Sequence, residues 1–301
     1  MSGPSGALQR FRCPQCAGEV PLSGAALTCQ ACGTAGSSEG GIAALTPPAD
    51  DRDYPAALVR LVADVETRHF WFAARNRVIL ATMRRVLGRL DGLRLLDVGC
   101  GTGFVLAALE AAGLEATGID MHATSLRLAR TRVRGPLFLS SATDLPFFPD
   151  FDVVTLLDVI EHVEDDAAVL REAQRVLQPE GAVVISVPAG PDLWTTYDEV
   201  TGHKRRYDRD MLRRTIERSG LVPASVGYFN ILPLLAQVLH RRFAAPPTSG
   251  AGNVVEIVRH ALRVPPAPIN ALLGLSVRLE APLRSLPWIR GGSLIAVARR
   301  G

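Results

Sequence analysis

The sequence predicts an α/β fold in which helices cover both faces of a mostly parallel β-sheet. Three observations support this class. Short apolar runs alternate with helix-like segments through most of the chain. The 301 residues are 48% hydrophobic, which is enough for a sizeable core. A glycine-rich bend follows the first long apolar run, as expected where a strand turns into a helix.

The elements follow in chain order. Apolar residues at helical spacing predict a helix from about Val62 to Leu90. Beyond it, apolar runs separated by turn residues predict strands, each followed by a helix-like segment. The predicted strands are "LRLLDVG", "EATGID", "FDVVTLLD", "GAVVISVP", "LVPASVGYF" and "SLIAVARR".

Charge and hydropathy exclude several classes of protein. The formal net charge is only +3, so the composition does not call for nucleic acid or an anionic membrane as a partner. The first ten residues lack the apolar core of a signal peptide, and no run approaches the ~20 apolar residues of a membrane span. We therefore expect a cytoplasmic protein, and the abundant Ala and Arg indicate a GC-rich bacterial source.

Paired cysteines near the N-terminus indicate a metal site. Cys13 and Cys16 form one C-x2-C pair, and Cys29 and Cys32 form a second after twelve intervening residues. This spacing lets two tight turns present four thiolates to zinc, and it predicts a zinc ribbon over residues 1–46. The alternative is a flexible tail with reduced thiols. Such a ribbon is too small to fold without its metal. Its role could be structural, docking of a protein partner or substrate capture.

The remainder of the chain, residues 50–301, is predicted as one larger domain. The segment "GGIAALTPPADDRDYP" is rich in Gly, Pro and acidic residues and predicts a linker, with a boundary near residue 50. Residues 231–285 form an apolar insertion before the last strand. We expect a lid packed on the core, with a lid over an apolar acceptor such as a lipid or polyketide as the weaker inference. The alternative is an amphipathic segment that lies on the surface in peripheral membrane contact.

The bend "LLDVGCGTGF" predicts a nucleoside site. Its spacing, Gly99-x-Gly101-x-Gly103, differs from the G-x-G-x-x-G of dinucleotide sites. Asp97 just before the bend would repel a pyrophosphate, but it suits a ligand that carries an ammonium or sulfonium charge. Asp120 ends the next strand, where a carboxylate can accept both hydroxyls of a ribose. The expected ligand is a nucleoside with a cationic amino-acid arm.

The motifs "DVGCGTG" and "GID", together with the block from "SSATDLP" to "ISVP", resemble class I S-adenosylmethionine (SAM) dependent methyltransferases. The resemblance implies a Rossmann-like sheet of seven strands and SAM as the cofactor. It implies that Asp120 binds the ribose, Met121 the adenine face, and Gly103 the helix packing. Relatives often carry an acid for the adenine amino group where this chain has Ser141 and Ala142, and Asp144 could substitute. The other implied cofactor residues are Asp97, Gly99, Cys100, Gly101 and Asp158.

A second cluster is predicted to act on the acceptor. Asp158, Glu161 and His162 in "DVIEHV", with His203 beyond the next strand, resemble the metal site of ubiquinone-pathway O-methyltransferases and small-RNA 2′-O-methyltransferases. These groups could hold Mg²⁺, Mn²⁺ or Zn²⁺ and lower the pKa of an acceptor hydroxyl. Without a metal, Glu161 and His162 would hydrogen-bond the loop. His203 would then act alone as a general base or satisfy a core hydrogen bond.

The remaining motifs favour structural roles. Trp71 is expected to pack its helix on the core rather than to cap the site. The run Lys204, Arg205 and Arg206 is expected to be a solvated face rather than a grip for an anionic substrate.

The predicted function is O- or C-methylation of a small-molecule acceptor, quinone-like or from specialised metabolism. One alternative is an RNA methyltransferase whose ribbon binds the nucleic acid, although the weak net charge and the apolar insertion argue against it. The alternative from another class is a binding or scaffold protein that senses SAM and docks a partner through the ribbon.

Overall fold

The computed structural model describes residues 10–21, 26–44, 55–235, 254–286 and 288–301. It contains a ten-stranded sheet and a separate two-stranded one. The strands are β1 (Arg10–Arg12), β2 (Glu19–Pro21), β3 (Ala26–Thr28), β4 (Ala35–Glu39), β5 (Ile42–Ala44), β6 (Arg94–Val98), β7 (Glu115–Asp120), β8 (Leu137–Leu139), β9 (Phe151–Leu157), β10 (Leu177–Pro188), β11 (Leu221–Phe229) and β12 (Ser293–Arg300).

The helices flank this sheet. They are α1 (Ala56–Glu66), α2 (Phe70–Leu87), α3 (Phe104–Ala111), α4 (Ala123–Arg130), α5 (Asp166–Val176), α6 (Thr196–Val200), α7 (Arg209–Arg218), α8 (Val254–Ala261) and α9 (Ala267–Leu279). Within the described ranges, no helix is long and apolar enough to cross a bilayer.

Seven strands of the large sheet come from the larger domain, in the order β8-β7-β6-β9-β10-β12-β11. From β8 through β7, β6 and β9 to β10, each strand pairs in parallel with the next. Among these seven strands β12 alone runs antiparallel, and it lies between β10 and β11. Alternate residues of one strand enter two buried clusters, such as Leu96 on one face and Leu95 on the other. The predicted Rossmann-like fold with a mostly parallel sheet is therefore confirmed.

The order of the strands places a crevice above β6. The chain moves outward from β6 through β7 to β8 and then returns to β9 on the other side of β6. At such a switch point the loops after the two central strands diverge, and open α/β sheets bind their ligands there. Both sequence motifs singled out above, the glycine bend and "DVIEHV", lie at this edge.

The N-terminal strands extend the sheet instead of standing apart from it. β5 pairs in parallel with β8, while β4 and β3 follow as antiparallel neighbours. Residues 42–44 were expected in a linker, and that assignment is wrong because they form β5. Residues 45–54 of the predicted linker lie outside the described residues.

The predicted helix from Val62 to Leu90 is two helices. α1 ends at Glu66 and α2 starts at Phe70, where the ring nitrogen Nδ1 of His69 accepts a hydrogen bond from the Trp71 backbone at 3.2 Å. From the insertion, α8 contacts α1 and α6, and α9 packs along α2. The described part of the insertion thus lies against the domain at its N-terminal helices, and residues 236–253 lie outside the description.

Candidate functional site

The glycine bend leaves room for a ligand beside a buried acid. A side chain at Gly99 would collide with Val159, since its Cβ would lie 2.7 Å from a methyl carbon. No described atom lies within 4 Å of the place where a Cβ of Gly101 would be. Both glycines have positive φ, which lets the backbone turn upward at the end of β6. The bend therefore exposes main-chain atoms to open space.

Asp97 is a buried carboxylate with a single hydrogen-bonding side chain. Its Oδ1 accepts the hydroxyl of Thr155 at 2.7 Å, and the residue is 2% exposed. Burial raises the pKa of Asp97 to about 6, with a further rise from Asp120 and an opposing effect of Thr155 and Arg75. An ionised carboxylate here is poorly compensated, so a cationic ligand would stabilise it.

Asp120 lies on the neighbouring strand and orders the same bend. Its Oδ2 accepts the backbone N–H of Gly101 at 2.9 Å, and its Oδ1 accepts that of His122 at 2.8 Å. A carboxylate offers about four acceptor positions, and the backbone of Met121 also interacts with this one, so acceptor capacity remains for a further donor. Burial raises the pKa of Asp120, while these backbone hydrogen bonds lower it.

The segment after β8 lies next to Asp120. The Ser140 N–H donates to the Asp120 carbonyl at 3.0 Å, which sets Ser141 and Ala142 beside the end of β7. Met121 is 48% exposed at the same edge. The carboxylate of Asp144, which could substitute for the missing family acid, forms an ion pair with Arg12 through Oδ1 at 2.5 Å.

Arg75 of α2 lies beside the predicted site residues Asp97 and Asp158, although its position in the sequence did not single it out. Its Nη2 forms an ion pair with Asp158 Oδ2 at 2.9 Å, and the residue is 9% exposed. Its buried Nε has no hydrogen-bond partner among the described residues. The guanidinium is also close enough to Asp97 to lower the pKa of that carboxyl. Helical spacing alone could not distinguish Arg75 from other residues of α2.

Three of the four predicted acceptor-side groups meet at one point. The ligand atoms of Glu161, His162 and His203 all lie within 4.8 Å of one another. The Lys204 N–H donates to the Glu161 carbonyl at 2.7 Å, which joins the two loops that carry these groups. Asp158 does not join them: its carboxylate contacts Arg75 and accepts the Ser186 hydroxyl at 3.1 Å.

Glu161 is the most unusual group of the three. It is 0% exposed, and neither carboxylate oxygen has a hydrogen-bond partner within the described chain. Burial raises the pKa of Glu161 well above its usual value, and Asp158 adds to the rise. Burial lowers the pKa of His162 to about 4, with a contribution from His203. A carboxylate without partners beside a neutral imidazole is a suitable ligand set for a divalent cation.

His203 is oriented by a buried acid that the sequence analysis missed. Its Nδ1 lies 2.8 Å from Oδ1 of Asp198, and Arg206 contacts both oxygens of that carboxylate. Burial alone would raise the pKa of Asp198, but the hydrogen bonds from His203 and Arg206 outweigh it and hold the pKa well below its usual value. In the neutral tautomer whose Nδ1–H donates to this carboxylate, Nε2 of His203 carries the lone pair.

The basic run next to His203 is neutralised. Lys204 pairs with Glu164 at 3.2 Å, Arg205 with Asp166 at 3.1 Å, and Arg206 with Asp198. Trp71 stacks on buried Phe229, with ring centroids 5.5 Å apart, as the packing interpretation expects.

The N-terminal cysteines are also brought together. The sulfur atoms of Cys13 and Cys32 lie 3.7 Å apart, and those of Cys16 and Cys29 lie 3.5 Å apart. Four thiolates around zinc, with Zn–S of about 2.3 Å, would have sulfur atoms about 3.8 Å apart. The four residues therefore fit a zinc ion.

Comparison with known proteins identifies the central part of the chain. Residues 96–185 match a family model described as a methyltransferase domain. The match makes this segment similar to methyltransferase domains and covers less than half of the chain. It contains the glycine bend, Asp120, Glu161 and His162, whereas Arg75, Asp198 and His203 lie outside it.

Curated relatives of the methyltransferase domain are ubiquinone biosynthesis O-methyltransferases. The protein from Leptothrix cholodnii is 33% identical over 119 residues, which cover 37% of this chain and 51% of that protein. The protein from Bordetella bronchiseptica is 35% identical over 122 residues, with 38% and 50% covered. The chain spans about half the length of these relatives.

Solved structures show the same fold for the methyltransferase domain. A complex of the Haloferax volcanii Trm112 methyltransferase activator with a methyltransferase matches at TM-score 0.56 and 21% identity, covering 84% of this chain and 99% of that one. The Haemonchus contortus phosphoethanolamine N-methyltransferase 2, solved with SAM, matches at TM-score 0.54 and 18% identity, covering 83% and 58%. At such identities the likeness concerns the fold alone.

Proposed function

We propose that this protein transfers the methyl group of SAM to a small-molecule acceptor. The observation that carries the proposal is the pair of buried carboxylates, Asp97 and Asp120, at the ends of adjacent strands on either side of an open glycine bend. The curated relatives, which are O-methyltransferases by name, favour an oxygen acceptor of quinone-like or specialised metabolism over a carbon acceptor.

Each part of SAM has a matching group in the proposed site. Asp97 receives the ammonium of the methionine arm, and the buried Nε of Arg75 receives its carboxylate. The remaining acceptor capacity of Asp120 takes the ribose hydroxyls. Met121, Ser141 and Ala142 border the adenine. Gly99, Cys100 and Gly101 contribute main-chain atoms, while Gly103 allows α3 to approach Ala129, 2.9 Å from where its Cβ would be.

The acceptor side of the proposed site is Glu161, His162 and His203. These residues would hold a divalent cation such as Mg²⁺, which lowers the pKa of a hydroxyl that binds it. Methyl transfer is an in-line displacement at the sulfonium, so holding the acceptor oxygen behind the methyl group supplies much of the rate. Without a metal, His203 would instead act alone as the general base, with Nδ1 held by Asp198 and Nε2 accepting the hydroxyl proton.

The RNA alternative receives no support from the basic run, because acidic neighbours pair each of its members. A salt-dependent affinity for RNA would restore that alternative. The scaffold alternative predicts SAM binding with no turnover on any acceptor. A protein partner docked on the ribbon and a cytoplasmic location remain predictions.

Calorimetric titration with SAM and with S-adenosylhomocysteine tests the proposal. We expect wild-type protein to bind both ligands, and Asp120→Ala to lose tenfold or more in affinity, which is about 1.4 kcal/mol. Incubation with a panel of catechols and hydroxylated quinols should then show methyl transfer. Failure of the wild-type protein to bind either nucleoside would refute the proposal.

A further inference from the structure

The zinc ribbon is joined to the strand that leads into the adenine segment. β5 pairs with β8 in the register Ile42 to Leu137, Ala43 to Phe138 and Ala44 to Leu139. Residue 139 is followed directly by Ser140–Ala142, so the ribbon forms the outer neighbour of the backbone that precedes this segment. A displacement of β5 would therefore leave the outer edge of β8 unpaired, with β7 as its one remaining neighbour in the described sheet.

A buried aromatic series continues this connection. Phe11 of β1 packs edge-to-face on Phe138 with ring centroids 5.1 Å apart. Phe138 contacts Phe147 at 5.1 Å, and Phe147 contacts Phe151 at 5.3 Å. All four rings are at most 2% exposed. The ribbon thus shares a core with the methyltransferase domain at the base of residues 140–147.

Arg12 is the polar part of the same connection. Its backbone N–H donates to the Pro146 carbonyl at 3.1 Å, and its guanidinium pairs with Asp144 at 2.5 Å. From the opposite side, Glu172 of α5 accepts the Leu145 N–H at 2.9 Å. Residues 144–146 are consequently held between the ribbon and α5. Asp144, the first of them, lies three residues beyond Ser141.

Zinc would fix Arg12 because the next residue, Cys13, is one of the four thiol ligands. With so small a core, the ribbon depends on its metal for a defined structure. We propose that Arg12 is a positioning residue for SAM: the ribbon holds the adenine segment through the Arg12–Asp144 ion pair, so the structure of the ribbon sets cofactor affinity. This inference rests on the function proposed above.

The test measures SAM affinity by calorimetry on the full-length, zinc-loaded protein. Arg12→Ala and Asp144→Asn should each weaken SAM binding about three- to fivefold, as expected for a partly exposed ion pair. The double variant should be no weaker than the weaker single variant. Arg12→Lys should restore affinity to within twofold. Arg171→Ala, which breaks the exposed Arg171–Asp165 pair on α5, is the matched control and should bind as wild type.

Kinetics and a smaller ligand separate positioning from general damage. The KM for SAM should rise while kcat at saturating SAM stays within twofold, and methylthioadenosine should lose affinity by the same factor as SAM. Zinc content is measured for every variant. If Arg12→Ala loses zinc, Asp144→Asn is the variant that tests the ion pair, because it leaves the ribbon unchanged. Wild-type affinity in zinc-loaded Asp144→Asn would overturn the inference, whereas a wild-type protein that binds no SAM would refute the proposed function itself.

Discussion

Glu66 and Thr102 join the first helix of the larger domain to the glycine bend. The Thr102 hydroxyl donates to the Glu66 carboxylate, at 2.7 Å from Oε1 and 2.6 Å from Oε2. Arg132 pairs with the same carboxylate at 2.5 Å and donates to the Thr102 carbonyl at 3.3 Å. Glu66 and Thr102 are 6% and 5% exposed. Since Thr102 lies between Gly101 and Gly103, α1 restrains the loop that the cofactor is proposed to contact.

Replacement of Glu66 by Ala should therefore destabilise the fold and weaken SAM binding. The change removes the carboxylate that the Thr102 hydroxyl and the mostly buried Arg132 share, which costs about 1–3 kcal/mol. Urea unfolding measures the stability, and calorimetry measures the affinity. Glu164→Ala is the control, because Glu164 pairs with Lys204 with a side chain that is 80% exposed. Equal unfolding free energies for the two variants would contradict the role of Glu66.

Asp97→Asn should stabilise the ligand-free protein at neutral pH. The pKa of Asp97 is raised from 3.8 to about 6, so its contribution to stability is fully present below pH 3.8 and is lost as pH rises through 6. The full loss amounts to about 3 kcal/mol. Asparagine removes this ionisation and still accepts the Thr155 hydroxyl. We expect a gain of about 1–3 kcal/mol at pH 7 that shrinks towards pH 4.

The same variant should bind SAM at least tenfold more weakly, since the counter-charge for the cationic arm is gone. Unfolding curves from pH 4 to 8, for Asp97→Asn and wild type in parallel, check the first expectation. Thr155→Val serves as a comparison that removes the hydroxyl but keeps the charge. If Asp97→Asn were less stable than wild type at pH 7, the ionised Asp97 carboxylate would be stabilised by its surroundings in the folded protein, contrary to the prediction.

Glu161→Gln tests the metal-binding hypothesis. The substitution preserves shape but removes the anionic ligand, so affinity for Mn²⁺ should fall about 100-fold. SAM affinity should be unchanged, because Glu161 lies on the acceptor side. Paramagnetic resonance of Mn²⁺ follows binding without interference from the ribbon, whose thiolates select softer ions. Glu164→Gln, a nearby exposed carboxylate, is the control. Full turnover by wild-type protein after removal of all divalent cations would eliminate the hypothesis.

The features that could be predicted from the sequence depend on neighbouring residues, whereas those that were missed depend on more distant or individual contacts. The six long apolar runs correspond to strands because their hydrophobicity is local, whereas β8, only three residues long, has no such signal. The division between α1 and α2 was missed because His69, outside the usual capping set, ends the helical pattern with its side chain.

The same distinction between local signals and contacts with other segments applies to the residues of the candidate site. Asp97 and Asp120 could be selected from the sequence because each lies at the carboxyl end of a strand that has a local apolar signal. Arg75 and Asp198 act through partners 83 and 5 residues away, Asp158 and His203, and nothing in their local pattern indicates those partners. The ribbon strands were missed because β4, "AGSSE", is polar and gains its place by pairing along the sheet.

Asn270 provides a test of how the insertion is attached. Its side-chain oxygen accepts the Phe70 N–H at 2.9 Å, at the first turn of α2, and its side-chain nitrogen donates to the Arg68 carbonyl at 2.8 Å. Both contacts link α9 to the turn between α1 and α2.

Asn270→Ala removes a donor and an acceptor that satisfy free backbone groups at a helix start, so we expect a loss of about 1–2 kcal/mol in unfolding free energy. Asn270→Asp keeps the acceptor and should recover about half of that loss. Hydrogen exchange should show faster opening of residues 267–279 in Asn270→Ala, with β6 to β10 unaffected. If exchange in α9 matched wild type, the packing of α9 on α2 would suffice without Asn270, and the insertion would be held by its apolar face alone.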